Sequence, residues 1–134
     1  MILNFKTKFK DGSPTNFDFK ILREEKPHSI REDPFNRWRI GRLIHFSIGA
    51  RTKKYFCFKK GYVRSTQKFE IKWHKATKKI PTRTWDIFVD GKDLDIHDCF
   101  DMAINDGFDS LADFLEWFNK NFKGKIIHWT DLKY

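Results

Sequence analysis

From Gln67 to Trp73 the chain alternates strictly, with Phe69, Ile71 and Trp73 on one side and Lys68, Glu70 and Lys72 on the other. A period of two belongs to a strand with one face buried and the other in water. Trp85, Ile87 and Val89 repeat the pattern and run into Asp90-Gly91, a dipeptide suited to the left-handed backbone of a tight hairpin turn. Ile44, Phe46 and Ile48 against Leu43, His45 and Ser47 predict a further strand over 43–48. Ile2 to Phe5 reads as a short first strand and Ile126 to Trp129 as the last.

Between these the period lengthens. Residues 96–105 read as a short helix after Asp95. Ser110 and Asp113 form a capping-box pattern before Leu111, Phe114, Leu115, Phe118 and Phe122, a spacing that predicts a helix over 110–122 closed by Gly124. Thr15 with Asp18 marks a third helix from Phe17 to Leu22, although the alternation of Phe17 and Phe19 also suits a strand. Strands in the middle and helices on the flanks define an α+β class around a small, mostly antiparallel barrel or sheet. The strands at 43–48, 67–73, 85–89 and 125–129 are expected to share one barrel-like sheet, with helix 110–122 packed on it through Phe114 and Phe118.

The 134 residues show no internal repeat and no Pro-, Gly- or Ser-rich linker, so residues 1–134 are expected to form one domain. Fifteen Phe and five Trp supply a core despite a mean hydropathy of −0.67, which excludes a disordered chain. No run approaches the roughly 18 apolar residues of a membrane span. Met1 to Lys6 lacks the basic lead and long apolar stretch of a signal peptide. Cys57 and Cys99 are far apart and outside any CxxC, and the five His have no ligand spacing. The expectation is reduced thiols in a cytoplasmic protein with no membrane contact, metal or cofactor. The absence of a Gly-rich phosphate loop argues against nucleoside-triphosphate chemistry.

The net charge of +9 is divided unevenly. Residues 36–85 carry fifteen Lys/Arg against the single Glu70, while residues 86–116 carry ten Asp/Glu against the single Lys92. Separated charge builds a directional field. Either the acidic block lies over the basic block and neutralises it, or the basic excess is free for a phosphate backbone.

Lys26-Pro27-His28-Ser29-Ile30-Arg31, followed by Arg37-Trp38-Arg39-Ile40-Gly41-Arg42-Leu43-Ile44, resembles the "G-x-K-T-x-T-I-R … W-x-x-G-D-x-I" opening of ASCH domains. Ala103-Ile104-Asn105-Asp106-Gly107-Phe108-Asp109-Ser110-Leu111 with Phe114 is similar to that family's "A-x-x-[ED]-G-F-x-S-x-x-[ED]-F" segment, and Lys125 to Trp129 occupies the place of its closing strand. The segments come in the family order and span nearly the whole chain. The resemblance implies a PUA-like β-barrel and a link to RNA, and in some small members amidohydrolase activity on N4-acetylcytidine. Among the departures, Pro27 and Ser29 replace the two Thr of the opening, and Asp106 stands where the amidohydrolases have Glu.

Lys26, Ser29 and Asp106 thereby fall on the positions that carry chemistry in the hydrolytic branch. A lysine neutralised in a dry pocket can deprotonate a hydroxyl nucleophile while a carboxylate orients the substrate. The same residues can instead bind a phosphate or base, with Ser29 capping a turn and Asp106 fixing a loop. His28 lies inside the same motif. Arg31, Arg37, Arg39 and Arg42 cluster around Trp38, and their guanidinium forks suit phosphate. Trp38 itself is expected in the core. Lys53 and Lys54, with Lys59 and Lys60, flank Tyr55 to Phe58 as either a nucleic-acid grip or a lysine-protected strand edge. Lys75, Lys78 and Lys79 form a basic loop suited to phosphate contacts. The leading expectation is a binder of RNA, single-stranded nucleic acid or a modified nucleoside. The alternatives are an amidohydrolase using Lys26, Ser29 and Asp106, and a protein-interaction module presenting the acidic block.

Overall fold

The computed structural model describes residues 1–134. In chain order the elements are β1 (Ile2–Phe5), α1 (Phe17–Leu22), β2 (His28–Arg31), β3 (Leu43–Ile48), β4 (Phe56–Tyr62), β5 (Ser65–His74), β6 (Thr84–Val89), β7 (Lys92–Asp93), α2 (Ile96–Asn105), α3 (Leu111–Trp117) and β8 (Phe122–His128). The alternation of β5 is realised in full: Ser65, Gln67, Phe69 and Ile71 are buried while Lys68 and Lys72 stay in water. Asp90 and Gly91 both take positive φ, 51° and 80°, and turn β6 back on β7 as the dipeptide predicts. No helix is long and apolar enough to cross a membrane.

The class is α+β, but the strands do not share one sheet and no closed barrel forms. Strand β3 is claimed on one side by β1, in parallel, and on the other by β4, antiparallel. With both edges paired it has none left for the strands that follow. The remaining strands make a separate antiparallel sheet in the order β2-β8-β5-β6-β7. One cluster of 22 buried apolar side chains nonetheless draws on both sheets and all three helices. Trp129, just past β8, joins them by standing edge-on to Phe46 of β3 with ring centroids 4.8 Å apart.

Two helix boundaries differ from the sequence pattern. The helix expected over 110–122 stops at Trp117, and Phe122 opens β8. Donors from the sheet explain the stop. The Trp73 indole donates to the Phe118 carbonyl at 2.7 Å, and Arg83 donates to the Asn119 carbonyl at 2.9 Å. The Phe118 carbonyl, which a helix running to Phe122 would need, is therefore already engaged. Phe118 and Phe122 still pack together, at 5.2 Å, and both meet Phe69, so burial is equally served by a helix or a helix–strand junction. Gly124 accordingly lies within β8 rather than closing a helix, and a Cβ there would collide with the Arg31 carbonyl of β2. At the other boundary, α1 forms over Phe17–Leu22, but its N-cap is Asn16 at φ 55° with no side-chain cap. Thr15 instead donates to the Lys6 carbonyl at 2.6 Å. The caps Asp95 and Ser110 do accept from the backbone N–H groups of Asp98 and Asp113.

Candidate functional site

Strand β2 and the Asp106-Gly107 turn after α2 face each other across the end of α1. Gly107 takes φ +95°, and a Cβ on it would stand 2.8 Å from the Lys26 side chain and 2.9 Å from the Phe17 ring. Only glycine lets the turn come this close. Two lysines hold the turn from the other side. Lys20 donates to the Gly107 carbonyl at 2.6 Å and to Asp109 at 2.8 Å, while Lys26 donates to the Asp106 carbonyl and, at 3.2 Å, to its carboxylate.

Lys26 and Asp106 are both buried. The Lys26 ammonium lies 4.8 Å from the centre of the Phe17 ring and is pulled down to about 8, first by burial and against the pull of Asp106. It remains charged at neutral pH, as its acceptors require. The Asp106 carboxylate also meets His28 Nδ1 at 3.2 Å. A carboxylate only accepts, so Nδ1 carries the proton and Nε2 of the neutral ring accepts from the Tyr134 hydroxyl at 2.6 Å. Asn105 donates to the same hydroxyl at 3.1 Å. Burial lowers His28 from its ordinary value and raises Tyr134, holding both neutral.

Lys26, Ser29, Arg31 and Asp106 line a cavity of about 110 Å³, walled by Phe5, Phe17, Phe108 and Trp117. The structure therefore gathers the residues singled out in the two motif segments. It does not join Lys26 to Ser29 by a hydrogen bond: Ser29 Oγ accepts from Arg31 Nε at 3.1 Å, and Arg31 is held further by the Asn4 carbonyl at 2.7 Å.

The remaining arginines lie elsewhere, on the loop 32–42. Asp33 fixes this loop by accepting from the backbone of Arg37 at 2.7 Å and of Trp38 at 3.0 Å. Lys125 of β8 ties together Asp33, Asn36 and the Trp38 carbonyl. Trp38 is buried, as expected, and the ring turned outward is Phe35. Arg37, Arg39 and Arg42 are exposed. Lys53 and Lys54 are exposed at the turn between β3 and β4, outside the cavity lining, and Lys59 and Lys60 lie on the edge strand β4. The two blocks meet where β5 pairs with β6, Lys72 standing opposite Asp86 and His74 meeting Asp86 at 2.7 Å. No ion pair joins any Lys or Arg of residues 36–85 to a carboxylate of residues 86–116.

Sequence reasoning missed the walls and the back of this site. Phe5 and Phe17 entered only as members of a strand and a helix, and nothing in the pattern marked Trp117 or Tyr134. Comparison with family models, curated proteins and solved structures gives no match.

Proposed function

We propose that this is an RNA- or modified-nucleoside-binding domain of the ASCH, PUA-like type, taking one polar ring into the Lys26–Asp106 cavity. The observation that carries this is the meeting of Lys26, Ser29, Arg31 and Asp106 on one cavity with aromatic walls. Its volume of about 110 Å³ matches a single ring or acyl group, since an apolar cavity of ~150 Å³ holds benzene. Donors and an acceptor in the lining suit the edge of a base, and Trp117, with the Lys6 ammonium over its ring at 5.5 Å, is the exposed aromatic of the lining and the candidate for stacking. Arg37, Arg39 and Arg42, held out on a fixed loop, supply phosphate contacts.

A short single-stranded RNA should quench tryptophan emission at low salt, and the quench should be lost in Trp117→Phe. Trp117→Ala should weaken binding by about tenfold, the loss of one base–aromatic stack. Replacing Arg37, Arg39 and Arg42 together by Ala should flatten the log–log salt dependence by about 0.7 for each phosphate that is no longer neutralised. RNA that does not bind at low salt, or binds both variants as tightly as wild type, would overturn the proposal.

The hydrolytic alternative is favoured by one feature, a buried lysine lowered to about 8, within reach of general-base duty. It lacks a nucleophile joined to that base, because the Ser29 hydroxyl is engaged by Arg31. Release of acetate from N4-acetylcytidine by wild type and its loss in Lys26→Ala would establish it. Wild-type rates equal to buffer are the expected result.

A further inference from the structure

Helix α2 buries Cys99, Met102 and Ala103 and leaves an apolar strip beside that buried face unpartnered. Ile96, Phe100 and Ile104 are each about half exposed, at 49%, 50% and 49%, and recur every fourth residue, so they form one stripe. The stripe continues at Ile96 into a hollow of about 360 Å³ shared with Trp85, Leu94 and Cys99. Asp93 and Asp95 precede the helix and Asp98 and Asp101 lie on it, and none of the four forms a salt bridge. The cations nearest in sequence do not answer this charge. Arg83 also lines the hollow, but its guanidinium is held over the Trp73 ring at 4.3 Å and by the Asn119 carbonyl, which leaves Lys92 alone.

The loop 32–42 is the converse surface. Its backbone is fixed by Asp33 and Lys125, yet it holds Phe35 and Ile40 out at 79% and 73% exposure, among Arg37, Arg39 and Arg42. A fixed loop loses little freedom on docking, so presenting two large apolar side chains this way favours a partner. Here an apolar stripe on a helix whose carboxylates have no cationic partner and an apolar loop whose guanidiniums have no carboxylate partner occur on one chain.

We propose that a second copy of this chain is the partner: the Phe35–Ile40 loop of one copy docks on the α2 stripe of the next, with Phe35 in the hollow beside Trp85 and Ile96. The contact is head-to-tail, so each copy keeps one unused face of each kind, and assembly continues unless a ring closes. Charge complementarity sets its register and makes it salt-sensitive. The loop is the one proposed to meet RNA phosphates, so the two occupants exclude each other, and self-association is measured without RNA.

Sedimentation equilibrium of wild type at low salt should give an average mass that climbs above 16.2 kDa with concentration and returns towards it in high salt. Phe35→Ser with Ile40→Ser removes the loop face, and Ile96→Gln with Phe100→Gln removes the helix face. Each variant should self-associate at least about tenfold more weakly than wild type, the effect of losing a central anchor. An equimolar mixture should form a two-chain complex and stop, because only one intact loop and one intact stripe can meet. All four residues are exposed, and thermal melts matching wild type exclude loss of fold; if the helix variant melts early, Phe100→Gln alone takes its place. A wild type that stays at 16.2 kDa at every concentration, or a mixture that forms no two-chain complex, overturns the proposal. So does a loop variant that associates as strongly as wild type, which would mean that α2 meets a different surface.

Discussion

Asp106→Ala is expected to cost this fold about 3–5 kcal/mol, the penalty for stranding one member of a buried ion pair. Asp106 is the carboxylate for two buried donors, the Lys26 ammonium and His28 Nδ1. Its removal leaves the ammonium with the Asp106 backbone carbonyl and aromatic rings. Removing both charges, in Lys26→Met with Asp106→Asn, should cost clearly less than the sum of the two single changes, because no uncompensated charge then remains in the core. Urea unfolding gives both quantities as midpoint shifts at unchanged slope. The pH dependence of the deficit has a definite sign. Lys26 has a folded value of about 8 against an ordinary 10.5, and losing Asp106 removes an influence that holds it up. In the variant the folded state therefore sheds this proton at lower pH than the unfolded chain does, so its stability rises with pH and the deficit shrinks. Strictly additive losses, or a deficit that grows from pH 7 to pH 9, would mean that Lys26 and Asp106 do not act as one buried unit.

The two halves of this ion pair differ in how far the sequence disclosed them. Lys26 and Asp106 are eighty residues apart, and only the resemblance of their segments to a family pattern placed them together; periodicity has nothing to say about such a pair. The strands β5 and β6 and the helix α2 were readable because one local signal, a period or a cap, coincides there with what the tertiary structure rewards. Helix α3 was read too long because Phe114, Phe118 and Phe122 satisfy helical spacing whether or not the backbone stays helical. The decision was made by Trp73 and Arg83, far away in sequence, taking the carbonyls. Strand β3 showed its faces but not its sheet, since alternation fixes which side is buried and leaves the neighbour open. Trp38 is buried as expected, while Phe35, for which the pattern gave no place, turns outward. Both are aromatic residues amid arginines, and only the Asp33 and Lys125 contacts decide which ring turns inward.

Acid should destabilise the protein through a histidine pair that the sequence did not link. His28 and His128 face each other across β2 and β8, fully buried, with ring centroids 5.2 Å apart. The Gln67 amide nitrogen is engaged by Asp90 and the Tyr134 carbonyl, so its oxygen accepts from His128 Nε2 at 3.0 Å. The other ring nitrogen, Nδ1, has no partner, and a proton placed there would have no acceptor. Burial first, then the neighbouring His28 and Lys133, pull His128 down to about 4 from 6.5. His28 is lowered in the same direction by burial, with Asp106 opposing. Between pH 6.5 and pH 4 the unfolded chain therefore binds protons that the folded chain refuses. Stability is complete above about 6.5 and falls as pH drops through that window. Each refused proton contributes a slope of up to about 1.4 kcal/mol per pH unit. His128→Gln can still donate to Gln67 and has nothing to titrate. Urea midpoints measured from pH 7.5 down to pH 5, above the carboxylate range, should fall less steeply for this variant than for wild type. Parallel curves for the two proteins would remove His128 from the acid response, and a wild type equally stable at pH 7.5 and pH 5 would remove the pair.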